Sequence, residues 1–448
     1  MNRIREDSHG PEPHLPNTTL ITNVVLVNPG LPPRVLERGW LVFSGERIQA
    51  LGPGEPPTDL ARKATKRLDG MGGILLPGLV NAHTHAAMSL LRGLADDLPL
   101  KDWLEKHIFP AEAKAVNEEF VYWGTLLACA EMILSGTTTF ADGYFFEDSA
   151  LEAAQSSGMR GVLAQGVLDF PAPGCPDPAF NVEQAIGFLN RSWGEEPLRA
   201  GIFCHSAYTC SPQTIQKAKE ACRVQDVLFF IHVAETKGEV QEIKARYGLP
   251  PLEHLAALEV LDEKTVLIHG VWLEEAEMDL LADSRAALVV CTESNMKLGS
   301  GIAPLPELLR RGIRLGLGTD GPASNNDLDL FGEMDLTAKL HKVASMDPTA
   351  VNASCVLHMA TRGGAKVLGL QDVGLLEPGF QADLILVATD RPHMQPLYHP
   401  VSQLVYAARG SDVECVWVKG RELLRHRQLL SMDIQEVIGR ARELASRI

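Results

Sequence analysis

The 448-residue chain contains no Cys-x-x-Cys pair; its eight cysteines are scattered. That excludes a paired-thiol motif, and free thiols in a reducing cytoplasm are the expectation. No apolar run reaches the ~18 residues that a membrane span requires. The opening segment, "MNRIREDSHGPEPHLPNTTL", has no apolar core of the kind a secretory signal needs, so none is expected. Basic residues are in deficit: 41 Lys and Arg stand against 57 Asp and Glu, a formal net charge of -16. A nucleic acid or an anionic membrane is therefore a poor partner. What is present is ordinary for a globular protein, 45% hydrophobic and 22% charged. The length suits one large α/β domain with a smaller companion.

Residues 1–18 are polar and contain prolines, as expected of a loose N-terminal arm. Residues 19–75 read as short strands with turns, in "LITNVVLVNP" and "GWLVFSGERIQALGPG". Residues 373–430 repeat that texture in "VGLLEPGFQADLILVATD" and "VECVWVKGRELL". The two pieces are expected to pair into one discontinuous β-sandwich built from both termini, with a C-terminal helix over 431–448. The middle, 76–372, alternates strand and helix. Its apolar runs lie at 74–82, 137–142, 159–169, 199–206, 226–235, 264–270, 286–294 and 313–320, eight in all. Eight strands alternating with helices predict a parallel (β/α)8 TIM-type barrel, with its chemistry at the C-terminal ends of the strands. A doubly wound open sheet is the competing arrangement.

What ends each run carries the functional signal. The first closes on "HTH", His83-Thr84-His85. Side chains alternate along a strand, so these two imidazoles share a face. His205, His232, His269 and Asp320 close the fourth, fifth, sixth and eighth runs, and Glu235 follows His232 by three residues. A single such residue reads as a cap or a satisfied core histidine. Five ionisable strand ends on one face of a barrel read as a site. His83, His85, His232 and Asp320 form a donor set suited to a divalent transition metal with an open position for water. Such a metal lowers the pKa of water from about 15.7 to about 7. Glu235 and His269, on adjacent strands, remain as candidate acid and base.

These segments resemble the amidohydrolase superfamily, in its cytosine/adenosine-deaminase-like branch, which includes triazine hydrolases and guanine deaminases. The matching pieces include "LPGLVNAHTHAAMSLLRGLADDLPLKDWL", "IFPAEAK", "HSAYTCSP", "IHVAET", "VLIHG", "ESNMKLGSGIAP", "GTDGPASNNDLDL" and "LEPGFQADLILV". Within that branch the resemblance is greatest to deaminases of 5'-methylthioadenosine and S-adenosylhomocysteine. It implies one Zn2+ per subunit, with Fe2+ or Mn2+ as alternatives, held by His83, His85, His232 and Asp320. It implies that Asp320 and His269 handle the attacking water and that Glu235 carries a proton to N1 of an adenine ring. The product would be an inosine analogue. Glu112 matches an acid that binds ribose hydroxyls, His205 matches a residue contacting ribose and base, and Trp103 is a candidate pocket wall. A homodimer or higher homo-oligomer is also implied. Guanine or 8-oxoguanine deamination and chlorotriazine hydrolysis are the alternatives on the same fold. A non-catalytic scaffold would lack ligands, and none is missing. The HxE and PCxxC zinc signature of nucleic-acid deaminases is absent.

Two departures from the family pattern stand out. Gln165 occupies a position where relatives that take S-adenosylhomocysteine can carry an arginine for its carboxylate, which tilts the expectation towards methylthioadenosine. Val290 stands where relatives usually carry a histidine.

Overall fold

Two sheets organise the chain in the computed structural model, which describes residues 18–191 and 197–448. The arm expected at the N-terminus lies, up to residue 17, outside the described residues. One end of the chain supplies β1 (Thr18–Asn28), β2 (Arg34–Ser44), β3 (Arg47–Pro53), β4 (Lys66–Asp69) and β5 (Ile74–Pro77). The middle supplies β6 (Leu79–Thr84), β7 (Thr137–Tyr144), β8 (Arg160–Val167), β9 (Leu198–Ser206), β10 (Leu228–Val233), β11 (Thr265–His269), β12 (Ala287–Val290) and β13 (Arg314–Leu317). The other end supplies β14 (Leu384–Val387), β15 (Val413–Val418), β16 (Arg421–Arg425) and β17 (Gln428–Leu429).

The terminal strands form one mixed sheet in the order β17-β16-β15-β14-β5-β1-β2-β3, with β4 beside β1. Laid flat, β2 and β15 would be ~19 Å apart, four strand spacings. The rings of Phe43 on β2 and Trp417 on β15 are 6.3 Å apart, edge to face. The sheet therefore curls over itself, and Ile21, Leu41, Phe43, Leu75, Leu384 and Trp417 share the core it encloses. The helix Ile434–Ala445 follows and lies against the helix Glu118–Leu134.

Strands β6 to β13 run parallel in chain order and make the barrel. Its seam, between β6 and β13, is joined by a side chain. Asn81 donates to Thr319 Oγ1 at 2.7 Å and accepts the Thr319 N–H at 3.0 Å. The Asp320 N–H reaches the His83 carbonyl at 3.1 Å. Gly318 permits this approach, because a Cβ there would stand 2.9 Å from the His83 Cβ. Val80, Ala82, Ala164, Phe203, Phe230 and Val289 pack inside the barrel. The Val162, Ala164, Gly166 alternation on β8 and the Ala287, Val289 alternation on β12, continued just past its end by Cys291, are those of strands half facing inward.

The apolar run 74–82, expected as one strand, is two. Residues 74–77 pair with β1 and β14 in the mixed sheet, and the barrel begins at Leu79. The break is at Gly78, where a Cβ would fall 2.1 Å from Thr138 Cγ2. The run 286–294 also stops early, turning into the helix Thr292–Lys297 after β12.

Candidate active site

His83 and His85 reach the barrel mouth by way of an irregularity. Val80 and Ala82 already face inward, so strict alternation would turn His83 away. Between the register pairs Asn81↔Phe140 and Thr84↔Asp142 the first strand carries one extra residue. This bulge shifts the parity, and the His83 ring stacks on the inward Phe203 at 5.5 Å. His232 arrives by plain alternation after the inward Leu228 and Phe230, while the neighbouring strand β9 takes up an extra residue beside it, between Cys204 and Ser206. His269 and Asp320 sit at strand ends with φ of +74° and +61°. Left-handed backbone at residues other than glycine costs on the order of 1–3 kcal/mol and is concentrated at functional sites.

The ligating atoms of His83, His85, His232 and Asp320 all lie within 4.8 Å of one another. Nε2 of His83 and Nε2 of His85 are each 3.3 Å from Asp320 Oδ1. Nε2 of His232 is 3.3 Å from Nε2 of His83. The outer nitrogens fix the tautomers. His85 Nδ1 meets the Gly143 carbonyl at 2.6 Å, and His232 Nδ1 meets the His205 carbonyl at 2.8 Å. A carbonyl only accepts, so both rings carry their hydrogen on Nδ1 and present a bare Nε2 lone pair inward. Burial pushes His83 down to about 4 and holds His232 well below its usual value, which keeps these imidazoles neutral, the ligating form. Burial alone would raise the Asp320 carboxyl. The contact with His83 and the surrounding imidazoles outweigh it and hold the group well below the usual carboxylate range. Its Oδ2 accepts from Ser294 Oγ at 2.6 Å and Ser324 Oγ at 3.0 Å. Electron-rich atoms so crowded repel one another unless a cation lies between them. The donor set therefore fits a divalent transition metal.

Glu235 and His269 adjoin this cluster, with Glu235 Oε2 3.8 Å from His269 Nε2. His269 gives its Nδ1 hydrogen to Asn295 Oδ1 at 3.0 Å, which leaves Nε2 as an acceptor. Glu235 accepts from Ser300 Oγ at 3.3 Å. Its backbone is held by Glu239, whose two carboxylate oxygens take the N–H groups of Ala234 and Glu235 at 2.8 and 2.7 Å. Burial, with Asp320 nearby, pushes Glu235 up to about 8.

A cavity of about 760 Å³, including its opening to solvent, leads to these groups. Glu112, His205 and Trp103 line it, as do His85, His232, Glu235, His269 and Asp320. Glu112, on the helix Phe109–Ala115, accepts the Tyr144 hydroxyl at 2.6 Å. His205 Nδ1 lies 2.9 Å from Thr209 Oγ1. Trp103 gives its indole N–H to the Ala95 carbonyl at 3.0 Å and so offers the cavity only its ring.

Two positions singled out in the sequence are not brought there. Gln165 points from β8 towards the helix Glu147–Ser157, where its Oε1 accepts the Glu147 N–H at 3.2 Å, and it does not line the cavity. Val290 packs in the core outside the barrel, not on the cavity. Conversely, Tyr144, Ser294, Asn295, Ser300 and Ser324 join the site without a sequence signal of their own, because none is an ionisable residue closing an apolar run.

The amidohydrolase family model matches residues 74–423. A 5-methylthioadenosine/S-adenosylhomocysteine deaminase of Syntrophobacter fumaroxidans is 50% identical over 409 residues, 91% of this chain and 92% of the relative. A 5'-deoxyadenosine deaminase of Methanothermobacter thermautotrophicus is 40% identical over 417 residues, 92% of this chain and 95% of the relative. Among solved structures, an adenosine deaminase from Xanthomonas campestris with bound zinc superposes with a TM-score of 0.92 at 36% identity, covering 96% of this chain and 98% of that one.

Proposed function

The chain belongs to the amidohydrolase family, and we propose that within it the protein is a metal-dependent deaminase of adenine nucleosides, with 5'-methylthioadenosine its best substrate. One observation carries this reading. A single cavity is lined by three of the four clustered donors, His85, His232 and Asp320, by the Glu235–His269 pair and by a buried carboxylate, Glu112. A free base or a chlorotriazine has no hydroxyls for Glu112 to bind, which disfavours guanine deamination and triazine hydrolysis.

His83, His85, His232 and Asp320 would hold the ion, zinc first and Fe2+ or Mn2+ as alternatives. When bound it supplies the Lewis acidity that makes water a nucleophile near neutral pH. The chain's own groups do the rest. Asp320, anchored by Ser294 and Ser324, and His269, with its free Nε2, orient the attacking water and take its proton. Glu235 is held in its acid form near neutral pH by burial and delivers a proton to N1 of the adenine ring. Water adds at C6, the bond to the amino nitrogen breaks, and ammonia leaves with a proton returned through Glu235. The product is the inosine analogue.

No Lys or Arg lines the cavity among the described residues, whereas Met88, Leu100, Leu104, Ile108, Phe109 and Leu168 do. That wall supports an apolar 5'-substituent such as methylthio, whereas Gln165, turned away from the cavity, has no bearing on that substituent. Eight free cysteines, six of them buried, support a cytoplasmic setting, and the family resemblance supports a homodimer. No helix among the described residues is long and apolar enough to cross a membrane. The test is a substrate panel. The zinc-loaded protein is incubated with methylthioadenosine, S-adenosylhomocysteine, adenosine, guanine and a chlorotriazine, and ammonia or chloride is assayed. Ammonia from the nucleosides alone is expected; release from guanine, or chloride from the triazine, would favour the alternatives.

A further inference from the structure

We infer that Tyr144 is the positioning residue that lets this site select a vicinal diol, by holding the carboxylate of Glu112 with one oxygen engaged and its remaining accepting capacity left for the ligand. The inference rests on the deaminase reading above and deepens it. The two residues are 32 apart in sequence, come from β7 and a helix before it, and meet through a 2.6 Å hydrogen bond inside the cavity. Each is 5% exposed. A carboxylate buried this far ordinarily has a cation beside it. Here no Lys or Arg lines the cavity among the described residues, and the phenol is the donor present. Burial pushes Glu112 up to about 7, and the Tyr144 hydrogen bond acts against that rise. Without the phenol the acid form would gain, and a protonated carboxyl offers a diol one acceptor oxygen fewer.

The position of Tyr144 adds a second argument. The residue before it, Gly143, holds His85 by its carbonyl at 2.6 Å. Consecutive residues at the end of β7 thus fix an imidazole of the donor cluster and the acid on the cavity wall. The helix bearing Glu112 follows a stretch of widened helical turn at Leu104–Ile108, and the Tyr144 hydrogen bond ties it to β7. A carboxylate has about four lone-pair sites, of which the phenol occupies one. The others suit the paired O–H donors of a ribose, and no such pair exists on a 2'- or 3'-deoxyribose or a free base.

The experiment compares wild type, Tyr144→Phe, Glu112→Gln and the double variant, all zinc-loaded, on adenosine, 2'-deoxyadenosine and 3'-deoxyadenosine. Tyr144→Phe is expected to raise KM for adenosine about 10- to 100-fold, the range for a hydrogen bond to a charged group. Its kcat, its zinc content and its KM for the two deoxynucleosides should change by less than about threefold. The double variant should be no worse than Glu112→Gln alone, since the phenol acts through that carboxylate. An equal rise in KM on all three substrates, or additive effects in the double variant, would overturn the inference and leave the deaminase reading standing. So would a wild type that turns over adenosine and its deoxy forms alike. A wild type that releases ammonia from none of the nucleosides overturns both.

Discussion

Oε2 of Glu235 lies 3.8 Å from Nε2 of His269, with the other oxygen of the same carboxylate 3.3 Å from the Ser300 hydroxyl. The pair sets an acid pushed up by burial against a neutral imidazole whose free nitrogen accepts. Replacing Glu235 by Gln keeps the shape and removes the transferable proton. Turnover is expected to fall about 10²- to 10⁴-fold with the metal retained. Near-normal turnover in Glu235→Gln, measured by ammonia release at saturating nucleoside, would reduce Glu235 to a strand-end residue.

Asp320 is held by hydroxyl partners as well as by the cluster it faces. Ser294 holds Oδ2 at 2.6 Å. Groups that orient a ligand in this way are worth about 10- to 100-fold in metal affinity. Ser294→Ala should lose zinc to a competing chelator at correspondingly lower chelator concentration, while its fold is kept. An unchanged affinity would mean that Ser324 alone orients the carboxylate.

Glu112 should leave a mark on stability. In the fold its carboxyl titrates at about 7, against an ordinary 4.5. The unfolded chain therefore loses this proton first, and between those values the folded state binds more protons. The contribution is fully present below about pH 4.5 and is lost as pH rises through about 7, on the order of 3 kcal/mol in all. Glu112→Gln does not ionise. Its melting temperature relative to wild type should move upward between pH 5 and pH 8. A pH-independent difference would show that burial does not raise this carboxyl.

The barrel was legible because eight apolar runs alternate with helical patterns, and the donor cluster because its members close those runs. The remainder was hidden for physical reasons. The split of 74–82 depends on Thr138 packing over Gly78, a contact sixty residues away that leaves no periodicity. The bulge that turns His83 inward is a matter of pairing with β7. The Tyr144–Glu112 bond joins two segments with no pattern in common. Gln165 is different, since a signal for it was available. Val162, Ala164 and Gly166 take the inner side of β8, so residue 165 must face the helices. Val290 follows the same parity against Val289 and Cys291.

The apolar residues that line the cavity make their own prediction. S-adenosylhomocysteine carries a zwitterionic amino acid there, and the described lining offers its carboxylate no cation. Lack of an ionic partner for a desolvated tail costs roughly 1.5–3 kcal/mol, about 10- to 100-fold. Steady-state kcat/KM at low salt should favour methylthioadenosine by that order. Gln165→Arg should not close the gap, because the side chain at 165 is turned away from the cavity. A preference for S-adenosylhomocysteine would mean that a cation reaches the tail from outside this lining.

The most direct test measures two quantities on one sample, bound metal per chain and ammonia released from methylthioadenosine, for wild type and His83→Ala. The His83 imidazole, 1% exposed, faces both Asp320 and His232 and belongs to no other chemistry in the site. Wild type is expected to hold one divalent ion per chain and to release one ammonia per nucleoside consumed; His83→Ala is expected to lose both together. Full metal with full ammonia release in His83→Ala would contradict the account at its centre.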